Sequence, residues 1–128
     1  MKTTKKLGIW MDHSIAYLME PINNGIITTT VEAQAFSPVK EDNLSSHESL
    51  LHHKEHNQLA DYFKQLAIVI REYDQVLLFG PTGANKELFN HLRENHLFDK
   101  IKIELKQEDK MTENQQEAFV KKYFNIAN

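Results

Sequence analysis

Cysteine is absent from the 128-residue sequence, which excludes a disulfide scaffold, a thiolate zinc site and a cysteine nucleophile, and fits a reducing compartment. Glycine (4) and proline (3) are scarce, leaving no room for a low-complexity linker. No apolar run approaches the roughly 20 residues that a membrane helix needs. The basic start Met1-Lys2-Thr3-Thr4-Lys5-Lys6 leads only into Leu7-Gly8-Ile9-Trp10-Met11 before Asp12 interrupts, too short for a signal-peptide core. A cytoplasmic protein with no membrane partner is expected. What is present is a globular balance of 41% hydrophobic and 26% charged residues, enough for one core and a single domain spanning 1–128.

The net charge of −3 is unevenly spread: residues 1–39 and 86–128 are each balanced, and the acidic excess lies wholly within 40–74. That distribution argues against a strongly cationic phosphate-binding face, and no DNA partner is expected.

Lys6–Met11 reads as a short apolar strand, turned by Asp12-His13-Ser14 into a second strand, Ile15–Glu20. Pro21-Ile22-Asn23-Asn24-Gly25 signals a hairpin, and β-branched Ile26-Ile27-Thr28-Thr29-Thr30-Val31 continues as a third strand toward Phe36. Polar Ser37–Leu51 shows no steady period and reads as a loop. From about His52 to Glu72 the period becomes helical, with Leu59, Tyr62, Phe63, Leu66, Ala67 and Ile70 on one stripe. Gln75-Val76-Leu77-Leu78-Phe79 is apolar throughout, as in a strand covered on both faces.

After Gly80-Pro81-Thr82-Gly83, a helix with Leu88, Phe89 and Leu92 inward is expected to end near His96. Lys100–Leu105 alternates with period 2, like a half-exposed edge strand, and Thr112-Glu113-Asn114-Gln115 is a capping box that starts a last helix. Phe119, Val120, Tyr123 and Phe124 give that helix its stripe. The order βββαβαβα predicts an α/β fold, a ribonuclease H-like three-layer sandwich around a mixed sheet.

Several stretches together resemble a known family. Ile9-Trp10-Met11-Asp12-His13-Ser14-Ile15-Ala16-Tyr17-Leu18 is similar to the opening hairpin of the middle domain of eukaryotic and archaeal peptide-chain release factors. Lys54-Glu55-His56-Asn57, and Leu77-Leu78-Phe79-Gly80-Pro81 followed by Lys86-Glu87-Leu88, resemble later segments of that domain. The second of these is also similar to the Gly-Pro-Gly…Lys turn of Pelota-type ribosome rescue factors. Lys110-Met111-Thr112-Glu113-Asn114-Gln115, with Tyr123-Phe124, resembles small bacterial proteins described as translational machinery components. The resemblance implies a ribonuclease H-like domain associated with the ribosome or with structured RNA (tRNA or rRNA).

Release factors carry Gly-Gly-Gln in the loop before the long helix, and that loop promotes peptidyl-tRNA hydrolysis. Here the interval reads Asn43-Leu44-Ser45-Ser46-His47-Glu48-Ser49-Leu50-Leu51-His52-His53, without Gly-Gly and with an acidic balance. The non-catalytic, Pelota-like variant is therefore expected, with no cofactor.

Two constellations remain as candidate sites. Gly80, Thr82, Gly83 and Lys86 join a strand to a helix start, where free amides, the helix dipole and a lysine can hold a phosphate. The glycines lie three apart with no Lys-Ser/Thr pair following, so this is not a Walker loop, and a tight turn needing glycine at unusual φ is the plainer account. His47, His52, His53 and His56 crowd one segment as a variable contact loop, and His52 and His56 have the i, i+4 spacing of a helical zinc site. That spacing leaves open a metal-assisted hydrolase or a divergent peptidyl-tRNA hydrolase, while a protein-interaction domain without RNA binding is a third reading. Asp12 ends the first strand, where ribonuclease H-type nucleases place a metal-binding carboxylate, but Leu78-Phe79-Gly80 offers no second one. Asp12 is instead expected to bond its own turn.

Overall fold

The structure, a computed structural model, describes residues 4–22, 25–33 and 47–125, and of residues 47–58 it describes the backbone alone. Along them run β1 (Lys6–Met11), β2 (Ile15–Ile22), β3 (Gly25–Glu32), α1 (His47–Ile70), β4 (Gln75–Gly80), α2 (Ala84–Arg93), β5 (Lys102–Gln107) and α3 (Glu113–Tyr123). A 3-10 turn, His96–Phe98, links α2 to β5. The sheet order is β3-β2-β1-β4-β5. β1, β2 and β3 pair antiparallel as a meander, whereas β4 joins β1 and β5 joins β4 in parallel. This is the ribonuclease H-like α/β sandwich expected from the element order.

The period-2 geometry of strands divides the core into two layers. Leu7, Ile9 and Met11 of β1, Ala16 and Leu18 of β2, and Val76 and Leu78 of β4 pack against Tyr62, Phe63, Leu66 and Ile70 of α1 and Ala84, Leu88 and Leu92 of α2. On the opposite face Trp10, Met19, Leu77 and Phe79 pack against Val120 and Phe124 at the α3 side. β4 is buried from Val76 to Gly80, which explains its uninterrupted apolar sequence. Each of Leu77, Leu78 and Phe79 contributes about 2 kcal/mol by leaving water.

The N-terminal edge of the parallel strands is pinned before the ladder begins. The Lys5 carbonyl accepts from Asp74 N (2.8 Å) and Gln75 N (3.1 Å), while Lys5 N donates to Asp74 Oδ2 at 2.9 Å. At the start of α3 the capping box forms as expected, with Gln115 N donating to Thr112 Oγ1 (3.2 Å) and Thr112 N to Gln115 Oε1 (2.9 Å).

Several boundaries differ from the expectation. α1 begins at His47, so His47–Leu51 is helical rather than loop, while residues 34–46 lie outside the described residues. Hydrophobic periodicity detects only a helix that buries a stripe. Glu48, Leu50, Leu51, Lys54 and Glu55 are strong helix formers with no proline or glycine among them, and propensity carries the helix further back. β2 extends through Pro21 to Ile22, pairing Ile22 with Gly25, and β3 stops at Glu32. Pro21 is tolerated because the β1–β2 ladder ends at Gly8–Met19, so no partner there needs its missing N–H. α2 ends at Arg93, where the 3-10 turn takes over, and β5 starts two residues later than the alternation suggested. Among the described residues, no helix is long and apolar enough to cross a membrane.

Candidate functional site

β1, β4 and β5 are parallel, so the Asp12–Ser14 turn, the Gly80–Gly83 turn and the segment after Gln107 leave the sheet at the same edge. Open α/β sheets bind ligands outside the carboxyl ends of their strands, which makes this edge the place to look.

Gly80 closes β4 and is buried. A Cβ there would overlap the Met11 carbonyl oxygen, so close approach of the β1 and β4 backbones demands glycine. Its own carbonyl accepts from Glu108 N at 3.0 Å, tying in the segment after β5. Gly83 behaves differently from the expectation: its φ of −83° is open to any residue and nothing crowds the position. Gly83 is the N-cap of α2 and has no side chain to cap with. Thr82 supplies part of that role, its Oγ1 accepting from Ala84 N at 3.2 Å.

Asn85, which the sequence reading passed over, organises this corner. Its side chain is 3% exposed. Nδ2 donates to the carbonyls of Leu78 and Lys106, each at 3.2 Å, and Oδ1 accepts from Lys86 N at 2.8 Å. One amide therefore joins the ends of β4 and β5 to the first turn of α2. The only sequence signal was position: a polar residue in the first turn of a helix, following a strand that ends buried.

Lys86 is exposed on that first turn, but its backbone amide is taken by Asn85. Among the described residues, the N–H groups of Thr82, Gly83 and Asn85 have no partner. Glu87, beside Lys86, lies with Oε2 3.0 Å from His13 Nε2, linking α2 to the β1–β2 turn. Gly80, Thr82, Gly83 and Lys86 thus share one corner, with a carboxylate at its rim partnered by an imidazole.

Asp12 is the turn residue expected: Oδ1 accepts from Ser14 N (2.7 Å) and Ile15 N (2.9 Å). The Asp12 carbonyl accepts from the Tyr62 hydroxyl at 2.8 Å. Burial, and secondarily the Asp12 carboxylate, hold the Tyr62 phenol far above its ordinary range. His13 faces Glu87, so Asp12, His13 and Ser14 form no triad. Among the described residues, no group of three or more His, Asp or Glu side chains converges on a point where a metal could sit.

His47, His52, His53 and His56 all belong to the N-terminal half of α1, not to a loop, and their side chains are outside what the structure describes. His52 and His56 are one helical turn apart along the backbone. Trp10 and Tyr17 are sheet-face residues on the α3 side, Trp10 6% exposed, with ring centroids 5.7 Å apart.

No family model matches the sequence, and no curated protein matches it. Among solved structures the fold is similar to Pelota from Archaeoglobus fulgidus, with a TM-score of 0.60 and 10% identity over 94% of this chain and 32% of that one. It is also similar to Pelota from Thermoplasma acidophilum, with a TM-score of 0.56 and 15% identity over 92% of this chain and 31% of that one. The chain spans about a third of the length of these proteins and has the fold of a Pelota-like α/β domain.

Proposed function

We propose that this chain is a single-domain, non-catalytic module, similar to the middle domain of Pelota and of release factors, that associates with the ribosome or with structured RNA such as tRNA or rRNA. The observation that carries the reading is the likeness to two Pelota structures over 94% and 92% of the chain. The interval before the long helix adds to it, since it has no Gly-Gly-Gln. The phosphate contact is assigned to the corner of Gly80, Thr82, Gly83 and Lys86, where amides without a partner among the described residues and a lysine meet the dipole of α2. Asn85 holds that corner rigid, so binding orders little backbone there.

Co-sedimentation with ribosomes in a salt series tests this. Association is expected at low salt and should weaken steeply as salt rises. Lys86→Ala should lower affinity and reduce the slope of log K against log salt by about 1. A wild-type protein that stays in the supernatant at low salt would overturn the ribosomal reading and leave the protein-interaction domain in its place.

A further inference from the structure

The two edges of the sheet are built differently. β5 carries Lys102, Glu104 and Lys106, a charged pattern that discourages pairing with other strands. β3 reads Gly-Ile-Ile-Thr-Thr-Thr-Val-Glu, with no charge before Glu32, no proline and no bulge in its eight-residue register with β2. Thr28, Thr29 and Thr30 are exposed, and Ile27 is 55% exposed. Among the described residues nothing protects this edge, and its β-branched residues are suited to accept a further strand.

The register tells which groups are available. Ala33 N donates to the Ser14 carbonyl at 2.8 Å, so Ser14 and Ala33 extend the β2–β3 ladder as a hydrogen-bonded pair. Hydrogen-bonded pairs alternate, so residues 25, 27, 29 and 31 bond to β2. The backbone groups of Ile26, Thr28, Thr30 and Glu32 therefore point outward, away from the sheet.

We infer that β3 pairs antiparallel with β3 of a second copy of this chain, around a two-fold axis at Thr29, to give a continuous ten-stranded sheet. In this register Thr28 and Thr30 exchange backbone hydrogen bonds with Thr30 and Thr28 of the other copy. Ile27 meets Val31 in the closely spaced, non-hydrogen-bonded pair. Val31 packs against the core beneath α1, so the exposed Ile27 of each copy extends that layer in the other. Charge favours a second copy in this orientation. Glu32 is the only charged residue of the strand, and the antiparallel register sets the two Glu32 residues roughly 20 Å apart, whereas a parallel one would bring them together.

The test is analytical ultracentrifugation of the full chain from about 10 μM to about 1 mM. The weight-average mass should double across the series. Thr28→Pro removes an outward N–H without touching the β2 ladder and should weaken association at least tenfold while circular dichroism stays native. A second pair of variants does not depend on proline. Thr28→Lys/Thr30→Lys should be monomeric, and mixing it with Thr28→Glu/Thr30→Glu should restore dimers, because positions 28 and 30 face each other across the axis. A wild-type monomer at every concentration, or a dimer that survives both kinds of substitution, would overturn the inference. Ribosome association is a separate readout and stands or falls independently.

Discussion

Gly8 and Val120 meet where α3 lies on the sheet: a Cβ added to Gly8 would sit 2.6 Å from Val120 Cγ2 and 3.0 Å from Cγ1. Val120 is fully buried and heads the smaller core with Trp10, Leu77 and Phe79. The absence of one side chain on β1 is what lets the only helix described on that face come close enough to bury it.

Gly8→Ala is therefore expected to destabilise the fold by about 2 kcal/mol through overpacking, although β1 is otherwise a regular strand. Val120→Ala opens a cavity and should cost about 2 kcal/mol by itself. The double variant should cost clearly less than the two together, because the new methyl fills the space left by the valine. Urea unfolding of the three variants measures this; strict additivity would show that the contact is not what sets the distance.

Asn85 yields a second expectation. Asn85→Ala removes three hydrogen bonds, two to the Leu78 and Lys106 carbonyls and one from the Lys86 amide, and should cost about 3 kcal/mol. Asn85→Asp keeps the shape but not the donor, so its carboxylate would face the Leu78 and Lys106 carbonyls. Only the protonated acid can donate there, which raises the folded value of the new carboxyl above its unfolded value, so Asn85→Asp should recover part of its stability as pH falls toward about 4 and gain no more below it. Denaturant titrations at neutral and acid pH, each referred to wild type, supply the comparison.

Alkaline pH gives a third. The folded state holds the Tyr62 proton more tightly than the unfolded chain does, since burial and Asp12 both disfavour the phenolate. Tyr73 is raised in the same direction, by burial and then by its hydrogen bond to Glu20. A raised folded value means that this stabilisation is whole below about pH 10 and is lost as pH climbs through the folded value. Tyr62→Phe should cost about 1 kcal/mol at neutral pH and show a shallower fall in stability above about pH 10. If the slope in alkaline urea titrations is unchanged, the Tyr62 hydroxyl is not shielded as described.

The legible part of this fold was the part where apolar spacing and local side-chain chemistry agree. The β1–β2 turn was readable from Asp12, the α3 start from the Thr112–Gln115 box, and the doubly covered β4 from Val76–Phe79. The start of α1 was not, because His47–Leu51 shows no periodic stripe for an eye trained on burial. In the candidate corner at Gly80–Lys86, Gly80 has the unusual φ expected of its turn, at 159°, whereas Gly83 was misjudged. Gly80 answers to the Met11 backbone, a neighbour 69 positions away that sequence spacing does not reveal, and Gly83 to nothing at all. Asn85 was missed for the same reason, since its partners Leu78 and Lys106 become neighbours only once β4 and β5 align.

The first of the described strands becomes the middle of the sheet. During synthesis the meander of β1, β2 and β3 can form early, but β1 keeps one side bare until Gln75–Gly80 has left the exit tunnel, and the Lys5–Asp74 clasp closes only then. Contacts so distant along the chain are slow to form. The nascent chain thus carries a sticky interior strand until β4 emerges, an interval in which a chaperone or a neighbouring chain on the same message can reach it first.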